Sequence, residues 1–120
     1  MNLAEAQEVL AALRPRIDDY LTVRADLAEL EADLARTGSS PHGGLAESKA
    51  FQARLYADLE HFAEVGVDVK NFAPLLLDLP GELHGRPVLW CWLEGDERIG
   101  WYHRPDTGFA GRRPLDPTAF

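Results

Sequence analysis

The chain has 120 residues, of which 20 are acidic and 12 are basic, so its formal net charge at neutral pH is -8. This length fits one compact domain, and 46% hydrophobic with 27% charged residues is typical of a folded chain rather than a disordered one. No apolar run approaches the roughly 20 residues that span a bilayer. Because phosphate contacts need a basic surface, we expect neither nucleic acid nor a membrane as partner.

The single cysteine, Cys91, excludes an intramolecular disulfide. The N-terminus lacks the basic-then-apolar order of a signal peptide, so a cytoplasmic location is expected. Up to Gly66 there are 12 acidic and 6 basic residues, whereas the remainder holds 8 and 6 together with all three tryptophans. We interpret this shift as a change from helix to sheet within a single domain, 1–120, with a helical hairpin over 1–66 and a sheet and tail over 67–120.

The first predicted element is a long amphipathic helix from Leu3 to about Arg36. Asn2 and Glu5 have the spacing of a capping box, and Pro15 predicts a kink or break near Leu13. Such a helix would be roughly 50 Å long, more than a small domain can cover, so part of its apolar stripe is expected to meet a second chain. The stripe comprises Leu3, Ala6, Leu10, Leu13, Ile17, Tyr20, Leu27 and Leu34. Leu21, Val23 and Leu30 lie beside it, so the buried face is expected to drift around the helix.

Residues 37–44 have the composition of a flexible loop, and a second helical pattern follows it. Gly66 is a suitable left-handed stop for that helix. The two helices therefore form an antiparallel hairpin. The predicted buried face of the second helix consists of Leu45, Phe51, Leu55, Leu59 and Phe62.

After Gly66 the apolar period changes to two, which predicts strands, with a turn at Pro80-Gly81. The clearest hairpin joins 88–94 to 98–104 around Gly95-Asp96. An even number of loop residues would place all three tryptophans on one face, as core or as a partner surface, and Cys91 and His103 on opposite faces. The prolines of 105–120 predict an extended tail. The fold class is thus α+β, with a sheet of about three antiparallel strands.

Few side chains carry a chemical signal. Cys91, between two tryptophans, is expected to be an inert core thiol. His103 ends a strand and is followed by Asp106, whose carboxylate could orient the ring or share a metal. Asp78 interrupts a run of leucines, either as a cap of the Pro80-Gly81 turn or as a carboxylate aimed at the same site. His42 and His84 fall among loop residues and are expected to be solvated.

The segment 108–113, Gly-Phe-Ala-Gly-Arg-Arg, places two glycines before two arginines. Backbone amides and guanidinium groups can hold a carboxylate or a phosphate, which makes Arg112 and Arg113 candidate ligand-binding residues. The segment lacks the strand-to-helix context of a phosphate-binding loop. The alternative is that these arginines bridge the tail to the acidic helices.

The order of these segments resembles the bacterial family called domain of unknown function 2203. The resemblance is carried by a capped helical hairpin followed by Gly66–Lys70, Leu77–Pro80, Cys91–Leu93, Ile99–His103, Asp106–Arg112 and Pro114-Leu115. It implies a small cytoplasmic bacterial protein and names no activity. It places His103, Asp106 and Arg112 in its most recognisable segment.

Two functions follow as hypotheses. The first is a non-enzymatic interaction or regulatory protein that acts as a homodimer through its helical hairpin. The second is a small-ligand-binding or divalent-metal-binding protein, or an enzyme, with a site formed by Asp78, His103, Asp106 and Arg112, of which the first three are candidate metal ligands. Neither a cofactor nor a reaction follows from the sequence.

Overall fold

A computed structural model describes residues 1–116, and it contains two helices followed by a five-stranded antiparallel sheet. The elements are α1 (Leu3–Thr37), α2 (Leu45–Glu64), β1 (Asp68–Phe72), β2 (Leu75–Leu83), β3 (Arg86–Leu93), β4 (Trp101–His103) and β5 (Arg113–Pro114), with a 3-10 turn at Phe109–Gly111. The α+β class is confirmed, but the prediction of about three strands is wrong. Among the described residues, no helix is long and apolar enough to cross a membrane.

The chain divides into two compact units. One consists of Met1–Leu13 together with the described residues from Phe62 onward, and the other is Arg14–His61. Both helices run across this division. The predicted organisation, one domain over 1–120 divided at residue 66, stays a prediction.

The predicted start of α1 is confirmed, because the Asn2 amide donates to Glu5 Oε1 at 2.9 Å and the Glu5 amide donates to Asn2 Oδ1 at 2.8 Å. The predicted break at Pro15 is wrong, since α1 continues to Thr37. The carbonyl one turn before Pro15 belongs to Ala11, which is exposed, so water can replace the amide that proline lacks.

In the unit Arg14–His61 the buried apolar side chains are Ile17, Tyr20, Val23 and Leu30. Of the three residues predicted beside the stripe, Val23 and Leu30 are buried, whereas Leu21 is only partly buried. On α2, Leu45 is 69% exposed, which contradicts its predicted place on the buried face. The polar Ser48 and Asp58 are buried instead, because Asp58 turns toward α1 and accepts a hydrogen bond from Arg16.

The predicted end of α2 is confirmed by a left-handed Gly66 at φ +83°. The amides of Gly66 and Val67 donate back to the carbonyls of Ala63 and Phe62, which closes the last turn. Phe62 and Val67 are both buried in the sheet-containing unit.

The main core of that unit lies on one face of the sheet, here called the tryptophan face. Its fully buried side chains are Leu75, Leu77, Leu79, Trp90 and Trp92. The start of α1 is tied to this sheet: the Trp90 indole donates to the Met1 carbonyl at 3.1 Å, and the Gln7 amide exchanges two 3.0 Å hydrogen bonds with the Ile99 backbone.

The predicted turn at Pro80-Gly81 is wrong, because both residues lie inside β2 and the turn to β3 is formed by His84 and Gly85. The Glu82 amide points away from β3, to the Met1 carbonyl. Because alternate residues of a strand direct their backbone nitrogens to the same side, the Pro80 nitrogen also points away from β3. The pairing of β1 with β2 ends at Asp78, before it reaches Pro80. The missing amide of Pro80 therefore costs the sheet no hydrogen bond.

The predicted register of the β3–β4 hairpin is also wrong, by one residue. Cys91 pairs with Trp101, and Trp90 pairs with Tyr102. Trp101 therefore lies on the other side of the sheet from the tryptophan face, together with Cys91 and His103. The connection holds an odd number of residues because Asp96 closes a turn on Leu93, its carboxylate accepting from the Leu93 amide at 3.0 Å. Gln7 then holds the Ile99 backbone outside the β4 ladder.

The tail is more regular than the predicted extended segment. The 3-10 turn is followed by β5, which pairs with β4, and the Leu115 amide donates to the Gly100 carbonyl at 2.9 Å. The part of the prediction that concerns 117–120 lies outside the described residues.

Candidate functional site

The second face of the sheet, here called the Asp78 face, carries three neighbouring polar side chains. Asp78 of β2, Cys91 of β3 and His103 of β4 are 2%, 0% and 3% exposed. Asp78 and Cys91 are direct cross-strand partners, and His103 pairs with Leu89 one step along. The corrected register is what brings Cys91 and His103 to the same side as Asp78.

Asp78 and His103 form a buried pair, with 3.0 Å between Asp78 Oδ2 and His103 Nε2. The other ring nitrogen, Nδ1, lies 2.7 Å from the Arg104 carbonyl oxygen. A carbonyl can only accept, so Nδ1 carries a proton. Nε2 and Oδ2 therefore share one further proton, as an imidazolium with a carboxylate or as a neutral imidazole with a carboxylic acid. Both arrangements fix the ring and use one Asp78 oxygen.

The other oxygen, Asp78 Oδ1, is buried and has no hydrogen-bond partner among the described residues. A buried carboxylate oxygen without a partner loses its hydration and gains nothing in return. Asp78 lines a cavity of about 290 Å³, here called the Asp78 cavity. Its other lining residues are Lys70, Leu76, Leu89, Cys91, His103, Pro105, Gly108 and Phe109.

Cys91 is a protonated thiol rather than a nucleophile. Burial raises its pKa to about 11, the negative charge of Asp78 acts in the same direction, and a hydrogen bond from Arg112 opposes them. The Arg112 donor Nη1 lies 3.8 Å from Cys91 Sγ. The thiolate is the reactive form of cysteine, so the fold disfavours chemistry at this sulfur.

Arg112 is held by aromatic rings. Its guanidinium carbon lies 4.6 Å from the centre of the Trp101 ring and 4.4 Å from that of Phe109. Such cation–π contacts fix the C-terminal segment over the Asp78 face. Arg112 therefore reaches the candidate site through its contact with Cys91. Its guanidinium group already contacts the Trp101 and Phe109 rings.

The remaining predicted site residues lie elsewhere in the sheet-containing unit. Asp106 forms a two-point ion pair with Arg104 on the surface, which lowers the pKa of Asp106. The prediction that Asp106 orients the His103 ring is wrong: Asp78 and the Arg104 carbonyl do so. Arg113 of β5 lines a different cavity, with Arg86 and Tyr102.

In the unit Arg14–His61, three side chains of metal-ligand type come together. Within 1–116, the group of three whose ligand atoms lie within 4.8 Å of one another is Asp26, Glu29 and His42. His42, which was expected to be solvated, lies at the surface and has a partner: its Nε2 lies 2.7 Å from Glu29 Oε2, and this hydrogen bond raises the pKa of His42. The i, i+3 spacing of Asp26 and Glu29 on α1 is visible in the sequence. The sequence does not show that the following loop folds back and brings His42 to them.

Sequence reasoning left Lys70 and the apolar lining of the Asp78 cavity unassigned, because only the strand register shows which alternate positions face it. The comparisons with known proteins bear on the chain as a whole. A family model described as "Uncharacterized conserved protein (DUF2203)" matches residues 1–115. No curated protein and no solved structure matches the chain. Since the matched residues include both helices and all five strands, the chain belongs to the DUF2203 family.

Proposed function

We propose that this protein binds a small polar molecule in the Asp78 cavity. The observation that carries the proposal is that Asp78, a residue that lines a cavity, has a buried oxygen, Oδ1, without a hydrogen bond among the described residues. A ligand that donates a hydrogen bond to this oxygen would remove an unfavourable feature of the free protein.

The lining of the cavity narrows the class of ligand. The donor required by Asp78 is a hydroxyl, an amine or an amide N–H, because a carboxylate oxygen only accepts. Leu76, Leu89 and Phe109 supply apolar contacts for the rest of the molecule. At about 290 Å³ the cavity lies at the small end of the range for ligand sites, which favours a compact molecule over a peptide or a nucleic acid.

His103 is a positioning residue in this proposal. Its bonds to Asp78 Oδ2 and to the Arg104 carbonyl hold the Asp78 carboxylate in place and leave Oδ1 without a partner among the described residues. Cys91 contributes a neutral, buried wall. The predicted metal role of Asp78, His103 and Asp106 stays a prediction, which metal analysis of the purified protein with and without His103→Ala would test.

The test uses benzylamine, benzyl alcohol and benzamide as donor probes and toluene as a probe without a donor. Amide shifts in two-dimensional NMR spectra report binding near β2, β3 and β4. We expect at least one donor probe to shift residues of the Asp78 cavity, and Asp78→Asn to weaken that binding about tenfold, the size expected for a hydrogen bond to a charged group.

The matched control is Asp106→Asn, which removes the same charge from a surface ion pair of the same unit. It should bind the probes as the natural chain does. Equal binding of toluene and the donor probes, or equal weakening by Asp78→Asn and Asp106→Asn, would contradict the proposal.

Self-association through the helical hairpin is the second candidate function, as a homodimeric interaction or regulatory protein in the cytoplasm. Leu45 and Tyr56 of α2, 69% and 66% exposed, support it. Analytical ultracentrifugation at several concentrations should show a monomer–dimer equilibrium that Leu45→Ser with Tyr56→Ser shifts toward monomer. A monomer at every concentration of the natural chain would contradict it.

A further inference from the structure

A second cavity in the sheet-containing unit is lined by three of the six lysine and arginine residues that follow Gly66. It has a volume of about 580 Å³ and is here called the arginine groove. Arg86 of β3, Arg104 after β4 and Arg113 of β5 line it, together with His84. Three arginines from three places in the sequence therefore border one concave surface, in a chain whose net charge is -8.

The positive charge of the groove is only partly neutralised. Asp106 pairs with Arg104. Among residues 1–116, no carboxylate forms an ion pair with Arg86 or Arg113. The lining residues include no aspartate or glutamate. Guanidinium groups on a concave wall strengthen one another's attraction for an anion, because the low-dielectric walls focus their field.

The other lining residues are apolar or aromatic. Leu83, Val88 and Tyr102 form part of the wall, and Val88 is 5% exposed. Val88 and Tyr102 belong to the tryptophan face, as the pairing of Tyr102 with Trp90 shows. The groove thus combines an apolar surface with two unneutralised guanidinium groups, which suits a molecule with an apolar part and an anionic part.

We propose that the arginine groove binds a small organic anion, a molecule with an apolar ring or chain and one phosphate or carboxylate group. The planar guanidinium fork matches both groups, since each presents two oxygens in a plane. Arg86 and Arg113 hold the anionic group, and Tyr102 with Val88 contacts the apolar part. The Asp78 cavity lies on the other face of the sheet, so the two proposals are tested independently.

The probes are phenyl phosphate, benzoate, phenol and inorganic phosphate, with binding followed by calorimetry and by amide shifts of Arg86, Tyr102 and Arg113. Phenyl phosphate or benzoate should bind more tightly than either phenol or inorganic phosphate. If phenyl phosphate binds more tightly than benzoate, the ligand belongs to the phosphate class. If benzoate binds more tightly, the ligand belongs to the carboxylate class. Added salt should weaken binding, because the attraction is partly between exposed charges.

The variants Arg86→Gln and Arg113→Gln should each weaken binding of the preferred anion about tenfold, as expected for losing a charge-assisted hydrogen bond. Arg36→Gln, at the end of α1 in the other compact unit, removes the same charge and should leave affinity unchanged. Circular dichroism of each variant checks that it is folded. We expect all three to fold because Arg86, Arg113 and Arg36 are exposed.

Four results would overturn the proposal. The first is that phenol binds as tightly as phenyl phosphate and benzoate. The second is that inorganic phosphate binds as tightly as they do, which would remove the apolar part from the recognition. The third is that folded Arg86→Gln and Arg113→Gln bind like Arg36→Gln. Shifts confined to Asp78-face residues would also contradict it.

Discussion

Asp58 and Asp78 are both buried, and in each the structure leaves one carboxylate oxygen without a hydrogen bond among the described residues. Their neighbours differ. Asp78 faces His103, which shares a proton with it, whereas Asp58 of α2 faces Arg16 on one side and a second carboxylate, Asp19, on the other. The sequence marked Asp78, which interrupts a leucine run, but Asp58 occupies an ordinary helix position, and only packing shows that it is buried.

Asp58 should make stability fall as the pH rises. Burial, reinforced by Asp19, raises its pKa from 3.8 to about 6, with Arg16 opposing. The folded chain thus holds this proton more tightly than the unfolded chain, so its contribution to the free energy of unfolding is greatest below about pH 4 and is lost as the pH rises through about 6. The difference is at most roughly 3 kcal/mol.

Urea denaturation between about pH 4 and pH 7 checks this. Asp58→Asn cannot ionise, so its stability relative to the natural chain should increase with pH across that interval. Asp18→Asn is the matched variant, because it removes one carboxylate from an exposed position of α1 in the same compact unit and so controls for the loss of a negative charge. A pH-independent difference for Asp58→Asn would show that this carboxyl has an ordinary pKa.

At the scale of elements, the tight turn between β2 and β3 explains one missed boundary. His84 and Gly85 have φ of 54° and 77°, as both central residues of a type I′ hairpin turn require. Glycine adopts this conformation freely, whereas histidine adopts it at a cost. Pro80-Gly81 is a stronger turn signal by composition, which is why the sequence placed the turn too early.

This turn predicts opposite effects at adjacent positions. His84→Asn should raise the unfolding free energy by up to about 1 kcal/mol, since asparagine tolerates the left-handed region better. Gly85→Ala should lower it by about 1 kcal/mol or more, because alanine is strained at positive φ although no atom within 4 Å would obstruct its Cβ. Thermal and urea unfolding of both variants measures the two changes, and a destabilising His84→Asn would contradict the assignment.

At the scale of the whole molecule, three predictions that depended on local signals agree with the structure, whereas the local signals at Pro15 and at Pro80-Gly81 predicted a break and a turn that the structure does not contain. The capping box at Asn2, the stop at Gly66 and the change from helix to sheet are each set by residues a few positions apart. The register of β4 and the pairing of β5 are not local. Asp96 and Gln7 decide where β4 begins, and Gln7 lies 92 residues from the Ile99 backbone that it binds. The predicted register of β3 with β4 placed Cys91 and His103 on opposite faces of the sheet. The observed register differs by one residue and places both on one face.

Gln7 therefore offers a test of how far the sheet depends on the start of the chain. Its side-chain amide satisfies both backbone groups of Ile99, which is fully buried, so Gln7→Ala leaves a donor and an acceptor without partners. We expect a loss of about 2–4 kcal/mol in unfolding free energy, and Gln7→Glu should recover only the bond that the Ile99 amide donates. Urea denaturation followed by tryptophan fluorescence measures this, because Trp90 and Trp92 lie in the same core.

The control is Glu8→Ala at the exposed neighbouring position, which should change the free energy of unfolding by less than about 0.5 kcal/mol. Equal effects of Gln7→Ala and Glu8→Ala would mean that β4 keeps its place without this long-range contact.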